Sequence, residues 1–272
     1  MNKKIRFLVL CILIIISQGS YPAIVKDSMK VATFGTVYLY IPESPVSTVA
    51  VMISGDGGWN YGVPDFSEHF AEKGALVIGV DILKYNKDLK SRKDECYHIV
   101  SDFVSLATLV EKKYKFEQYR EPLLMGYSSG ATLVYAILAQ ARPNTFLGGI
   151  SLGFCPDVEL PKNFCELNGL KIQPITVGKS YNLDPDSRLG NRWIVLQGKL
   201  DKICDFQNTV NFVNQSSDAE LIPLEKVGHG FSKWANFMPQ WDEAFNSIVK
   251  DKINNPEAVE KTDSTSSINK LP

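Results

Sequence analysis

Short continuous apolar runs recur along the chain, with amphipathic stretches between them. Thr48 to Ser54, Ala75 to Asp81, Leu123 to Met125, Phe146 to Leu152, Trp193 to Gln197 and Leu221 to Leu224 are dominated by consecutive apolar residues. That pattern predicts strands, with Thr48 to Ser54 and Ala75 to Asp81 of the kind buried on both faces. Gly35 to Ile41 alternates instead and predicts a β-strand that ends at Pro42. Between the strands, Asp65 to Lys73 follows Pro64, sets Phe66, Phe70 and Ala71 on one face and stops at Gly74. Asp94 to Lys113 repeats apolar residues at helical spacing through Val100, Phe103, Val104, Ala107 and Val110. Further helices are expected at Ser129 to Ala141, near Phe206 to Asn214 and from about Lys233 to Lys252. Strands alternating with helices predict a doubly wound α/β domain, a mostly parallel sheet with helices on both faces.

One interval breaks the rhythm. Pro156 to Asn191 holds four prolines and little periodicity, and a connection of that length is expected to form a lid-like insertion, at about 156–191. The ends differ in kind from the middle. Lys3, Lys4 and Arg6 precede the apolar run Phe7 to Ile16, and small residues follow at Ser17-Gln18-Gly19-Ser20. This is the form of a signal peptide over residues 1–19, with an uncleaved anchor as the alternative. A single domain is expected over 20–253, and 254–272, rich in Ser, Thr and charge, reads as a disordered tail.

Charge and cysteines narrow the partners. Without residues 1–19 the chain keeps 26 basic against 30 acidic residues, a formal charge of −4, and gives no indication of nucleic acid. In an exported chain the four remaining cysteines, Cys96, Cys155, Cys165 and Cys204, favour disulfides over free thiols. Three connectivities are open. Cys155 with Cys165 is the easiest to imagine, since both fall in one presumed loop, but spacing does not settle it. With no C-x-x-C or H-x-x-x-H pair, neither a metal nor a cofactor is expected.

The chemistry gathers around Gly126-Tyr127-Ser128-Ser129-Gly130, a G-x-S-x-G between a predicted strand and a predicted helix. This is the form of a nucleophile elbow, in which glycines leave room for a sharp turn that exposes a serine hydroxyl. A serine needs a base to take its proton and a carboxylate to orient the base. Asp201 follows the strand at Trp193 to Gln197, and His229 follows the last strand, giving the order Ser, Asp, His. His69 and His98 fall in predicted helices, and Asp205 is the second candidate for the acid. Acyl transfer also needs donors for an oxyanion. The amide of Ser129 is one candidate; the other is the amide of Asp56, in the loop Ser54-Gly55-Asp56-Gly57-Gly58-Trp59. Gly55, Asp56, Trp59, Tyr127 and Asp205 are the substrate-binding candidates. Asp56 either pairs with a substrate ammonium or caps its own turn.

The combination of Ser54-Gly55-Asp56-Gly57-Gly58-Trp59, Gly126-Tyr127-Ser128-Ser129-Gly130, Ser151-Leu152-Gly153-Phe154-Cys155 and Gly228-His229-Gly230-Phe231 resembles the bacterial virulence proteins VirJ and AcvB. The likeness runs from about Gly35 to the last helix, and S-G-D-G-G-W is its most specific part. The resemblance implies an α/β-hydrolase fold, a periplasmic location and Ser128, Asp201 and His229 as the triad. It implies hydrolysis of an aminoacylated phospholipid, lysyl-phosphatidylglycerol, with contact to a membrane surface. Because VirJ is associated with type IV secretion, it also raises a non-catalytic or dual role with secretion-system proteins as partners; a general carboxylesterase is a further alternative. The family often has a bulkier residue where Ser129 stands and an acidic one where Thr132 stands, departures that bear on the pocket rather than the triad.

Overall fold

The computed structural model describes residues 23–165 and 169–254. The expected signal segment and, Asn254 apart, the expected tail lie outside them. The chain opens with β1 (Ile24–Val31), β2 (Gly35–Pro42), β3 (Thr48–Ile53), α1 (Val63–Glu72), β4 (Ala75–Val80) and α2 (Ile82–Ser91). It continues through β5 (Cys96–Tyr97), α3 (Ile99–Lys113), β6 (Leu123–Tyr127), α4 (Ser129–Gln140) and β7 (Gly148–Leu152). Four short strands follow, β8 (Asp157–Glu159), β9 (Asn163–Phe164), β10 (Ile172–Thr176) and β11 (Ser180–Leu183). The last elements are β12 (Trp193–Gly198), α5 (Phe206–Asn214), β13 (Ala219–Leu224) and α6 (Met238–Asn254), with a 3-10 turn at Trp234–Asn236 before α6.

Eight strands form the main sheet in the order β1-β2-β4-β3-β6-β7-β12-β13. From β4 to β13 all neighbours run parallel, while β1 and β2 form an antiparallel hairpin on one edge. Alternate residues of β3 feed two cores: Val49, Val51 and Ile53 face α3 and α4, and Ala50 and Met52 face α1 and α6. Helices on both faces explain why the strands read as unbroken apolar runs.

β1 escaped the sequence pattern because it is an edge strand. Its IVKDSMKV leaves most side chains in solvent, and it is held by register with β2 along its whole length. α2 escaped because only Ile82, Tyr85 and Leu89 of its ten residues are buried. The helix expected from Asp94 starts at Ile99 instead, since Cys96 and Tyr97 are drawn out as β5 against β9 and Cys96 is bonded to Cys165.

The insertion is present where expected, and its described contacts make it a cover for α4. That helix, SGATLVYAILAQ, is buried at every position after Ser129, so it has no face to give to water. Val158, Leu160, Phe164, Leu170, Tyr181 and Leu183 join the core on its side of the sheet. The Tyr135 hydroxyl donates to the Asp184 carbonyl at 2.8 Å and the Gly169 amide to the Ala139 carbonyl at 3.2 Å. Among the described residues, no hydrogen bond or ring contact joins residues 157–191 to Ser128 or His229.

The cysteines pair as Cys96–Cys165 and Cys155–Cys204, not Cys155–Cys165. Sharing an insertion in sequence does not bring two side chains together. Cys155 ends beside the loop after β12, whereas Cys165 continues β9 next to β5.

Candidate functional site

Parallel strands send their carboxyl ends to one edge of a sheet, and the loops there bring together residues far apart in sequence. After β6 the chain turns at Ser128 with φ 55° and ψ −123°, a left-handed conformation costly for a residue with a Cβ. The two glycines permit the turn. A Cβ at Gly126 would stand 2.3 Å from the Gly130 carbonyl oxygen, and one at Gly130 would stand 2.4 Å from that of Ile53. Ser128 is thereby lifted to a partly exposed position at the start of α4.

The loop after β13 brings His229 to it. The Ser128 hydroxyl donates to His229 Nε2 at 2.9 Å, and His229 Nδ1 donates to Asp201 Oδ2 at 2.8 Å. The Asp201 side chain is fully buried. Its Oδ1 accepts from the amides of Ile203 and Cys204, both at 2.9 Å, and its Oδ2 also accepts from Gln197 Nε2 at 3.2 Å. Burial would raise its pKa, but the bonds from His229, Cys204 and Ile203 outweigh burial and hold the carboxyl below its usual value. An ionised Asp201 keeps the Nδ1 proton in place and leaves Nε2 free to accept from serine. The arrangement can therefore draw a proton from Ser128 and stabilise the imidazolium that results.

The glycine loop after β3 closes the other side. A Cβ at Gly55 would lie 2.9 Å from Ser128 Cβ, so only glycine allows this approach. Ser54 Oγ, buried, accepts from the Ile82 amide at 3.0 Å and ties the loop to the start of α2. Asp56 is exposed at the tip. Among the described residues, neither its amide nor that of Ser129 donates to a protein acceptor.

Three substrate-binding expectations change. Trp59 is 3 % exposed and stacks on Tyr38, with ring centroids 4.9 Å apart. It presses on Gly79, where a Cβ would meet the indole at 2.1 Å, so it anchors the glycine loop in the core and has no face for a ligand. Asp205 caps α5 by accepting from the Asn208 amide at 2.9 Å, and Asp201 holds the place beside His229 that Asp205 was second candidate for. Tyr127 is partly exposed, and its hydroxyl donates to the His229 carbonyl at 2.9 Å, so it positions the histidine loop. Thr132, where the resemblance leads one to expect an acidic residue, is buried and donates to the Cys155 carbonyl. His69 pairs with Asp242 at 2.7 Å, and His98 precedes α3.

Sequence reasoning missed Gln197. A glutamine inside a strand carries no motif, and its role depends on two loops that only the fold assembles. Asp201, Cys204 and His229 also bring three ligand-type atoms within 4.8 Å of one another. The Cys204 sulfur is bonded to Cys155, and Asp201 and His229 are bonded to each other, so this cluster has no donor set to offer a metal.

Residues 47–145 match the family described as bacterial virulence protein (VirJ). No curated protein sequence matches the chain. Among solved structures, it is similar to a dienelactone hydrolase from Anabaena variabilis, at 13 % identity and a TM-score of 0.55, covering 86 % of this chain and 98 % of the other. An esterase domain from Rhodothermus marinus matches at 10 % identity and a TM-score of 0.55, over 84 % and 98 % of the two chains. Est1E from Butyrivibrio proteoclasticus matches at 11 % and 0.54, over 84 % and 99 %. At such identities the likeness is one of fold. The family match contains the glycine loop and the elbow but stops short of Asp201 and His229, whose grouping with Ser128 rests on the geometry above. The chain thus has the α/β-hydrolase fold, and its segment 47–145 matches the bacterial virulence protein (VirJ) family.

Proposed function

We propose that the protein is an exported, periplasmic serine hydrolase that cleaves an ester, with the aminoacyl ester of lysyl-phosphatidylglycerol as its substrate. The observation that carries the reading is the continuous relay from Ser128 through His229 to buried Asp201, at 2.9 and 2.8 Å. Ser128 Oγ bonds to the ester carbonyl carbon as its proton passes to His229 Nε2, and the oxyanion rests on the amides of Ser129 and Asp56. Collapse breaks the ester bond, and His229 returns the proton to the leaving alcohol. Water activated by the same imidazole then frees the acyl group and restores Ser128.

Two features support a lipid ester. The loops around the relay expose large apolar side chains, Leu200 at 60 %, Ile203 at 72 % and Tyr61 at 72 %, with Lys202 beside them. Such a rim suits contact with an anionic membrane surface. The Asp56 carboxylate, exposed and next in sequence to Gly55, accepts no hydrogen bond from the described residues and is free to pair with the lysyl ammonium.

The test is to incubate the protein and its Ser128→Ala variant with vesicles containing lysyl-phosphatidylglycerol and follow lysine release by mass spectrometry. Release that depends on Ser128 is the expected result. Labelling of Ser128 by a fluorophosphonate without lysine release would leave a hydrolase of other esters. Folded protein that takes no label would favour a binding component of the envelope.

A further inference from the structure

Gln197 is fully buried next to the last residue of β12, and its amide group spans two loops. Its Oε1 accepts from the Phe154 amide at 2.9 Å, while its Nε2 donates to the Cys204 carbonyl at 2.8 Å and to Asp201 Oδ2 at 3.2 Å. Phe154 precedes Cys155, and Cys155 is bonded to Cys204. The far side of this bridge is fixed as well. Thr132 Oγ1 on α4 donates to the Cys155 carbonyl at 2.8 Å, and Thr209 Oγ1 on α5 donates to the Phe154 carbonyl at 2.9 Å.

On its β13 side the loop that carries Asp201 is held by the amides of Lys199 and Leu200, which donate to the Leu224 and Val227 carbonyls at 2.9 and 3.0 Å. Lys199, Leu200, Lys202, Ile203 and Asp205 are exposed, and Asp201 and Cys204 are its buried residues. Apart from His229, the groups bonded to the Asp201 carboxylate are Gln197 and the amides of Ile203 and Cys204. Cys204 thus gives the carboxylate one of these amides, and the disulfide ties Cys204 to the loop after β7.

We propose that the Cys155–Cys204 disulfide and Gln197 form one positioning unit that holds Asp201 against His229, so that the reactivity of Ser128 depends on a bond neither of whose sulfurs meets the substrate. The unit tethers the loop of the acid to the loop after β7, whose Gly153 lies under the histidine: a Cβ there would stand 3.4 Å from His229 Cε1. The second disulfide, Cys96–Cys165, lies between β5 and β9 and serves as the comparison. The inference rests on reading Ser128, His229 and Asp201 as the reacting relay.

The experiment compares the Cys155→Ala/Cys204→Ala and Cys96→Ala/Cys165→Ala variants with the wild type. Two readouts are taken on folded protein: the rate of fluorophosphonate labelling at Ser128, and the low-field proton resonance of the His229 Nδ1–H bonded to Asp201. Loss of the Cys155–Cys204 bond is expected to slow labelling by roughly 10- to 100-fold and to broaden or move the resonance. The comparison variant keeps both. On an Asp201→Asn background, removing Cys155–Cys204 should cause no further fall, which a general loss of stability would not reproduce. An unchanged rate and resonance, or an equal fall on the Asp201→Asn background, overturns the proposal. If the disulfide variant does not fold, Gln197→Met is put to the same two readouts, with the same expected and overturning results. Wild-type protein that takes no label at Ser128 would sink the hydrolase reading, while the resonance would still decide whether the unit positions Asp201.

Discussion

The Tyr127 hydroxyl donates to the backbone carbonyl of His229 at 2.9 Å, so the residue beside Ser128 holds the loop that carries the imidazole. The bond is independent of the imidazole and acts on where the ring stands. Tyr127→Phe removes one hydrogen bond worth about 0.5–1.5 kcal/mol. The turnover of a small chromogenic ester should fall roughly 2- to 10-fold with KM unchanged. A raised KM at constant turnover would instead make Tyr127 a substrate contact.

Asp201→Asn should lower turnover by roughly 10⁴-fold, because an amide donating to the imidazole favours the wrong tautomer. Steady-state hydrolysis of the same ester checks it, and a loss below ten-fold would remove Asp201 from the relay.

Asp201 also links stability to pH. Its carboxyl is held below its usual value, so the unfolded chain takes up the proton first as pH falls. The stabilisation is present in full above the ordinary carboxylate value and is lost as pH drops through the lowered one. In urea titrations, the advantage of wild type over Asp201→Asn should be constant from pH 7 to about 5 and shrink below about pH 4. An advantage that stays level down to pH 3 would contradict this.

Trp59→Ala should destabilise the protein by about 3–5 kcal/mol, the cost of emptying a core site of that size. Thermal or urea unfolding reads it directly. An unchanged midpoint with a raised KM would return Trp59 to the substrate.

Gly55→Ala should cut the rate of fluorophosphonate labelling by roughly 10²-fold, the scale for disturbing an oxyanion donor, because the added Cβ would press on that of Ser128. Asp56→Asn keeps the backbone and should slow lysyl esters far more than neutral ones. Equal losses on both substrates would sink the pairing with ammonium.

The strands and the order Ser, Asp, His were legible because they are local. Thr48 to Ile53 needs no neighbours to declare itself buried on both faces, and a G-x-S-x-G between a strand and a helix carries its own geometry. The edge strand Ile24–Val31 and the helix Ile82–Ser91 were not legible, since pairing with β2 and burial of only three side chains secure them. The tertiary structure alone decided the rest. Trp59 went to the core because Tyr38 and Gly79, distant in sequence, make a slot for it. The insertion went to α4 because that helix has no polar face. Cys155 and Cys204 paired across loops that the parallel strands deliver to one region, and Gln197 became a bridge because those loops meet at its side chain. Sequence by itself determined which chemical groups the chain possesses and which strand ends carry them. Which of them touch depended on long-range packing between residues far apart in sequence, as Ser128 and His229 are at a separation of 101.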